Sequence, residues 1–367
     1  MSLWGELRSV VYKPFVIKFG GSSVRYAFEE ALSLVRHISE GRPVVVVVSA
    51  LKGVTDALIR LADGDEKALL EVLEIHEQIL QETGVSIDHL FQELEKTVNA
   101  KRLFPSRESY VDAVATFGER ISAEIFAEGL RLIGVEARAV DSKDVLVAKG
   151  NFGNAEVDFE RSMRRIPVLI KLLRKGIIPV VTGYYGDLNG LRATFGRGGS
   201  DYSATSLASL LNARAVVIMS DVEGIYTADP RLVPEAKLIP YLSYEEASTA
   251  AKLGMKALHW RAIDPVEGRM PVILGKTKDW RFGTLVFEDS SEMPIVVHRV
   301  LGDEAEISVV SRKAPEIPYK PVEEGPNYIK IRVPREEFVY VLREVHRMVI
   351  DNEGVRSSDD SELWARV

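Results

Sequence analysis

The sequence predicts an α/β protein in which a largely parallel sheet carries helices on both faces, followed by a small α+β unit. Three observations lead there. From Val10 to Phe287, short β-branched apolar runs alternate with stretches of helical periodicity. Several of those runs end in glycine-rich or hydroxyl-rich turns that open the next helix. Past Asp289 the texture changes to closely spaced strands and one amphipathic helix.

The first strand is read over Val10 to Phe19, with Lys18 almost at its end. Gly20, Gly21, Ser22 and Ser23 then turn the chain into a helix through about Ser39. A strand, a glycine turn and a helix with one lysine at the mouth suit a phosphate. The GxxxxGK[ST] spacing is missing, however, and an ordinary βα turn satisfies the same letters. Val44 to Val48 is a second buried strand, and its loop from Ser49 to Thr55 brings hydroxyls to the carboxyl edge. Asp63 to Ala100 is charged and helical, with Leu69, Leu70, Leu73, Ile79 and Leu80 on one side and a break at Thr83-Gly84. It is either a solvated excursion or a lid.

Phe117 opens another helix with Ile121, Ile125, Phe126, Leu130 and Ile133 apolar. Glu119 in its first turn either complements the helix dipole or holds an ammonium. Val135 to Val140 is a third strand ending at Asp141 and Ser142, Pro167 to Lys175 a helix, and Ile177 to Thr182 a fourth strand. Gly183 to Arg192 reads as a hairpin turning at Asn189-Gly190.

Gly196 to Arg231 is the densest stretch. Gly196, Gly198 and Gly199 bracket Arg197 and leave the backbone bare for a ligand. Ser200 or Asp201 is a candidate cap for the helix that follows, whose stripe is Ala204, Leu207, Ala208 and Leu211. The free N–H groups at such a helix start favour an anion. Ala215 to Met219 is a buried parallel strand ending in Ser220 and Asp221. Ligands of open α/β sheets sit beyond the carboxyl ends of strands, so these residues and the loop through Arg231 border the expected site. Ser243 to Leu253 is a helix, and Met270 to Leu274 and Thr284 to Phe287 finish the sheet. The last unit has strands at Pro294 to Val300, Glu306 to Val310 and Tyr328 to Val333, a helix at Glu336 to Ile350, and a polar tail from Asp351.

Composition narrows the function. A net charge of −7 argues against nucleic acid as the main partner. No apolar run approaches the ~20 residues that span a bilayer, and the start lacks the apolar core of a secretion signal. The absence of cysteine excludes disulfides, zinc thiolates and cysteine catalysis, and it suits a reducing cytoplasm. The histidines are scattered without metal-ligand spacing, so no metal site is assigned to side chains.

Taken together, VIKFGGSSV, VVVVVSALKGVTDAL, FGERISAEI, TGYYGDLNGLRATFGRGGSDYSATSLASLL and MSDVEGIYTADPRLVPEAKLIPYLSYEEA, joined by GMKALH, resemble aspartate kinase of the amino acid kinase superfamily. The resemblance runs from about Val16 to Phe287. It implies a three-layer α/β/α sandwich around a mostly parallel sheet, and ATP-dependent phosphorylation of the L-aspartate side-chain carboxylate. Carried over by position, Lys18, Gly20, Gly21 and Ser49 resemble the residues that hold the nucleotide's phosphates. Ser220, Asp221, Tyr226, Asp229, Arg231 and Lys256 match its base, ribose and phosphate contacts. Thr55, Glu119, Arg197, Gly198, Gly199 and Ser200 resemble the aspartate-binding set, and Asp201 organises the lysines. Lys18, Asp201 and Lys256 are thereby the expected catalytic residues, with Mg²⁺ held chiefly by phosphates and water.

The chain departs from the family at Ser22, where threonine is usual, at Phe195, where leucine is usual, and at Trp260, where proline commonly stands. Its two expected domains are a catalytic one over residues 10–288 and a reduced ACT-like region with a polar tail over 289–367. Feedback-regulated members carry two tandem ACT domains, so lysine or threonine inhibition of the usual kind is not expected. A homodimer is the family's expectation, and a cytoplasmic location follows from the cysteine-free composition. Three rival readings are a homoserine acceptor, another acceptor such as glutamate, acetylglutamate or UMP, and a catalytically silent amino-acid-sensing subunit.

Overall fold

Strands that are apolar on both faces must be covered on both faces, which confines them to the interior of a parallel sheet. That is where β1 (Phe15–Phe19) and β2 (Val44–Val48) lie, every residue of both buried. The computed structural model describes residues 13–312 and 315–351. The chain divides into two compact units, one of Met1–Asp221 with Lys276–Trp280, the other of Val222–Gly275 with Arg281–Val367.

In the first unit β3 (Ala137–Val140), β4 (Ala148–Lys149), β5 (Glu156–Val157), β6 (Ile178–Thr182), β7 (Tyr185–Leu188), β8 (Leu191–Thr194) and β9 (Ala215–Ser220) follow. Five of its strands form one sheet in the order β9-β1-β2-β6-β3, with parallel pairing throughout. Register places Lys18 beside Val47 and Ile218, one residue from the carboxyl ends of β1 and β2 and two from that of β9. Helices Phe28–Ser39, Phe117–Leu132 and Gly199–Leu211 pack on this sheet, giving the three-layer α/β/α sandwich. Gly129 lets two of them close: a Cβ there would fall 2.8 Å from side-chain atoms of both Leu32 and Phe28. β7 and β8 form the expected hairpin, with Asn189 (φ 53°) and Gly190 (φ 89°) at its turn.

The second unit contains β10 (Tyr241–Ser243), all but the last residue of β11 (Val272–Lys276), and β12 (Arg281–Phe287), with β10 parallel to β12. Helix Tyr244–Leu253 starts from a capping box between Ser243 and Glu246. An antiparallel sheet follows, β13 (Ile295–Leu301), β14 (Glu304–Val310), β15 (Glu323–Gly325) and β16 (Tyr328–Pro334), in the order β13-β14-β16-β15. Alternate residues Ala305, Ile307 and Val309 of β14 meet Val341, Leu342 and Val345 of helix Phe338–Asp351 in one core. The strands expected after Asp289 are all present, and a short one, β15, joins them.

Some boundaries differ from expectation. Val10 to Tyr12, read as part of the first strand, and the tail at 352–367 lie outside the described residues. The single helix expected after Gly20 is two, Gly21–Tyr26 and Phe28–Ser39, because Ala27 leaves helical geometry (φ −145°, ψ 43°). Helices Val54–Ala62 and Arg107–Ala115 were not foreseen.

Candidate active site

The carboxyl ends of β1, β2, β6 and β9 meet loops held together by backbone contacts. Gly20 N–H donates to the Met219 carbonyl at 3.0 Å, Ser49 N–H to Phe19 at 3.2 Å, and Gly183 N–H to Val48 at 2.9 Å. Gly21 is locked against the β2 loop, since a Cβ there would stand 2.3 Å from the Ala50 carbonyl oxygen. The GGSS turn is therefore packed tightly onto the SALKG loop. Ser23, buried in the same turn, donates to the Met219 carbonyl at 3.3 Å and accepts from Thr277 Oγ1 at 2.7 Å.

Lys18 Nζ and Asp201 Oδ1 form an ion pair at 2.6 Å, with side chains only 11% and 14% exposed. The sequence offered Ser200 or Asp201 as a helix cap, and neither serves. Gly198, in the left-handed region at φ 72°, is the N-cap of helix Gly199–Leu211 and makes no side-chain capping bond. The turn closes through glycine backbone instead, so Asp201 sits inside the helix and its carboxylate goes to the lysine. The organising role expected of Asp201 concerned the lysines, and its carboxylate is paired with Lys18.

Glu119 is 3% exposed, in the first turn of helix Phe117–Leu132. Its Oε1 accepts from Ala50 N–H at 3.1 Å, and its buried Oε2 has no hydrogen-bond partner among the described residues. Burial pushes its pKa up to about 8, against the lowering effect of the Ala50 bond. A dipole-complementing surface carboxylate would show neither feature. Gly118 makes this depth accessible: a Cβ there would lie 2.6 Å from that of Ala50.

Gly183 and Gly199 bring the hairpin against the start of helix Gly199–Leu211. A Cβ on Gly183 would fall 2.8 Å from that of Ser200, and one on Gly199 2.9 Å from the Tyr184 ring. Arg197, between Gly196 (φ 74°) and Gly198, is exposed and enters no ion pair among the described residues. Thr55 is half-buried in the first turn of helix Val54–Ala62, after left-handed Gly53 (φ 98°). Ser220 and Asp221 end β9 as expected, half-buried and exposed.

The remaining predicted residues belong to the second unit. Asp229 clasps Arg231 bidentately, at 2.9 and 2.7 Å, and this bond holds its carboxyl below the ordinary range. Tyr226 donates to Glu223 at 2.7 Å, and burial first, then Glu223, pushes its hydroxyl up to about 12. Lys256 is exposed.

Sequence reasoning missed two contributors. Tyr184, at φ 80°, is a left-handed non-glycine residue held by bonds from its N–H to Ser203 Oγ (3.0 Å) and from Phe195 N–H to its carbonyl (2.8 Å). Burial, then the nearby Glu119 charge, raises its hydroxyl pKa. Asp112 is 3% exposed and accepts from Thr194 N–H, Thr194 Oγ1 and Gly153 N–H at 2.7 to 2.8 Å, anchoring the end of β8. The doubled tyrosine after Gly183 was a visible signal, whereas Asp112 had none, its partners being 82 and 41 positions away.

The sequence profile described as "Amino acid kinase family" matches residues 13–276. The chain belongs to the amino acid kinase family. Among curated relatives, lysine-sensitive aspartokinase 3 of Escherichia coli is 35% identical over 301 residues, 76% of this chain and 65% of its own length. Aspartokinase of Chlamydia trachomatis is 31% identical over 295 residues, 77% of this chain and 67% of its own. The chain thus spans about two thirds of the length of these relatives. Crystalline E. coli aspartokinase III in complex with aspartate and ADP superposes with a TM-score of 0.81 at 25% identity, covering 91% of this chain and 99% of that one. The mostly parallel sheet and flanking helices of this member are those of the family fold. Among the described residues no helix is long and apolar enough to cross a membrane.

Proposed function

We propose that this member of the family phosphorylates the side-chain carboxylate of L-aspartate with ATP, giving 4-phospho-L-aspartate and ADP on the way to lysine, threonine and methionine. The observation that carries this is Glu119: a buried carboxyl with one oxygen unpartnered among the described residues is what an α-ammonium requires. Arg197 complements it as a bidentate grip for the α-carboxylate. An acceptor bearing both groups is an amino acid. The aspartate and ADP in the E. coli structure support the same substrates here.

The nucleophile needs no base, because a carboxylic acid with an ordinary pKa of about 4 is ionised at neutral pH. A carboxylate oxygen attacks the γ-phosphorus, the bond from that phosphorus to the β,γ-bridging oxygen breaks, and ADP leaves with the electron pair. No proton moves in the transfer itself. What the protein must supply is positive charge and alignment against the repulsion of two anions. Lys18, poised at the strand end by Asp201, provides the charge, and Gly20, Gly21 and Ser49 the phosphate-facing backbone and hydroxyl. Ser220, Asp221, Tyr226, Asp229, Arg231 and Lys256 are assigned to the nucleotide. Mg²⁺ would ride on its phosphates and neutralise them, in keeping with that ion's preference.

The test is a coupled assay of ADP release with L-aspartate and L-homoserine as acceptors, with and without lysine and threonine. Turnover with aspartate and none with homoserine is expected. A homoserine preference would reassign the acceptor, and silence with every acceptor would favour a sensing subunit. A homodimer in the cytoplasm is part of the proposal, and light scattering at working concentration checks the oligomer.

A further inference from the structure

Thr227 is fully buried in the second unit, between Tyr226 and the Ala228-Asp229 pair, and its own N–H, carbonyl and hydroxyl all have partners. Its carbonyl accepts from Val296 N–H of β13 at 2.7 Å. Its hydroxyl accepts from Lys237 N–H at 2.9 Å and meets His346 Nε2, on helix Phe338–Asp351, at 2.8 Å. Five residues on, the Leu232 carbonyl accepts from Arg343 Nε at 2.7 Å, one helical turn before His346. Ala228 and Val233 belong to the same apolar core as Val341, Leu342 and Val345. The loop bearing Tyr226, Asp229 and Arg231 is therefore pegged to the C-terminal sheet and helix by polar and apolar contacts alike.

The segment leading to Lys256 is held by the same strand. Gly254 (φ 132°) lies so close to β13 that a Cβ would stand 2.7 Å from the His298 carbonyl oxygen and 3.0 Å from Arg299 Cγ. Arg299 in turn donates to the Lys252 carbonyl. One strand and one helix of the C-terminal region thus fix the two loops of this unit that carry nucleotide-assigned side chains. A detachable regulatory appendage would share neither a core nor buried hydrogen bonds with those loops.

We propose that the C-terminal sheet and helix are a template for nucleotide binding, with His346 and Arg343 as positioning residues that act through the 225–233 loop. This rests on the assignment of Tyr226, Arg231 and Lys256 to the nucleotide. In the full-length chain, His346→Leu and Arg343→Ala each raise KM for ATP about tenfold, the scale of one lost hydrogen bond, and leave KM for aspartate unchanged. His346→Gln, which returns an amide to the Thr227 hydroxyl, recovers most of the wild-type value. Calorimetric titration with ADP reads the same loss at equilibrium. Arg343 is exposed, so its replacement spares the core and carries the test if His346→Leu does not fold. Wild-type ADP affinity in both variants, or an equal rise in both KM values, overturns the template. Wild-type affinity in Arg231→Ala overturns the nucleotide assignment and the template with it; reduced affinity there with wild-type affinity in Arg343→Ala and His346→Leu overturns the template alone.

Discussion

Lys18 and Arg197 are both cations assigned to one reaction, yet their surroundings set different tasks. Lys18 is nearly buried and already paired with Asp201, so its position is decided before substrate arrives. Arg197 is exposed on a glycine-flanked turn and enters no ion pair among the described residues, which suits the proposed grip on the acceptor. Replacing Lys18 with alanine removes charge needed mainly in the transition state and strands Asp201, so kcat falls ~10²–10³-fold with a smaller change in KM. Arg197→Lys keeps the charge and loses the fork, so KM for aspartate rises ~10–100-fold while kcat at saturation and ADP affinity stay near wild type. Steady-state kinetics with each substrate varied in turn separates the two. An Arg197→Lys enzyme with unaltered aspartate KM would remove the guanidinium from the acceptor site.

At the scale of elements, the strand ends that carry the candidate site were legible, because the strands announce themselves. Five consecutive valines have only one environment available, and Asn189-Gly190 between apolar runs has one turn. The capping of helix Gly199–Leu211 was misread for a physical reason: Ser and Asp are good caps in general, but here the glycine turn closes on backbone alone and Asp201 is taken by a lysine 183 positions earlier. Long-range partners of that kind leave no local trace, which is also why Asp112 went unseen. The hairpin and the helix start meet at Gly183 and Ser200, with no room for a methyl group. Gly183→Ala should cost ~1–3 kcal/mol of stability, because the obstacle is a backbone-anchored Cβ. It should also raise KM for aspartate more than KM for ATP, since the displaced residue is Ser200. Adding Ser200→Gly should recover part of the melting temperature, the Ser200 Cα at 3.0 Å remaining in the way, and a double-mutant cycle with strictly additive losses would show that the two positions do not collide.

For the molecule as a whole, Glu119 ties the stability of the fold to pH with an unusual sign. Carboxylates in folded proteins are commonly held below their unfolded values, whereas burial lifts this one to about 8. Between an unfolded pKa of about 4.3 and that value, the folded chain keeps a proton that the unfolded chain has lost. The stability contributed is complete below about pH 4.3 and is lost as pH rises to about 8, at up to ~1.4 kcal/mol per pH unit. His76 and His298, whose pKa values burial depresses, oppose this trend as pH falls through the histidine range. The melting temperature of wild type minus that of Glu119→Gln, followed from pH 5 to 9 without ligand, cancels their contribution and should decline toward pH 8, then level. On the proposed assignment aspartate should reverse the balance, because its ammonium favours the ionised carboxylate. Binding at pH 7 should then release up to about one proton, seen as a dependence of the calorimetric heat on buffer ionisation enthalpy. That dependence should vanish in Glu119→Gln. A wild-type protein that binds aspartate with no proton release, and whose pH slope matches the variant's, would mean that Glu119 is already ionised in the free enzyme and that its burial serves packing rather than the substrate.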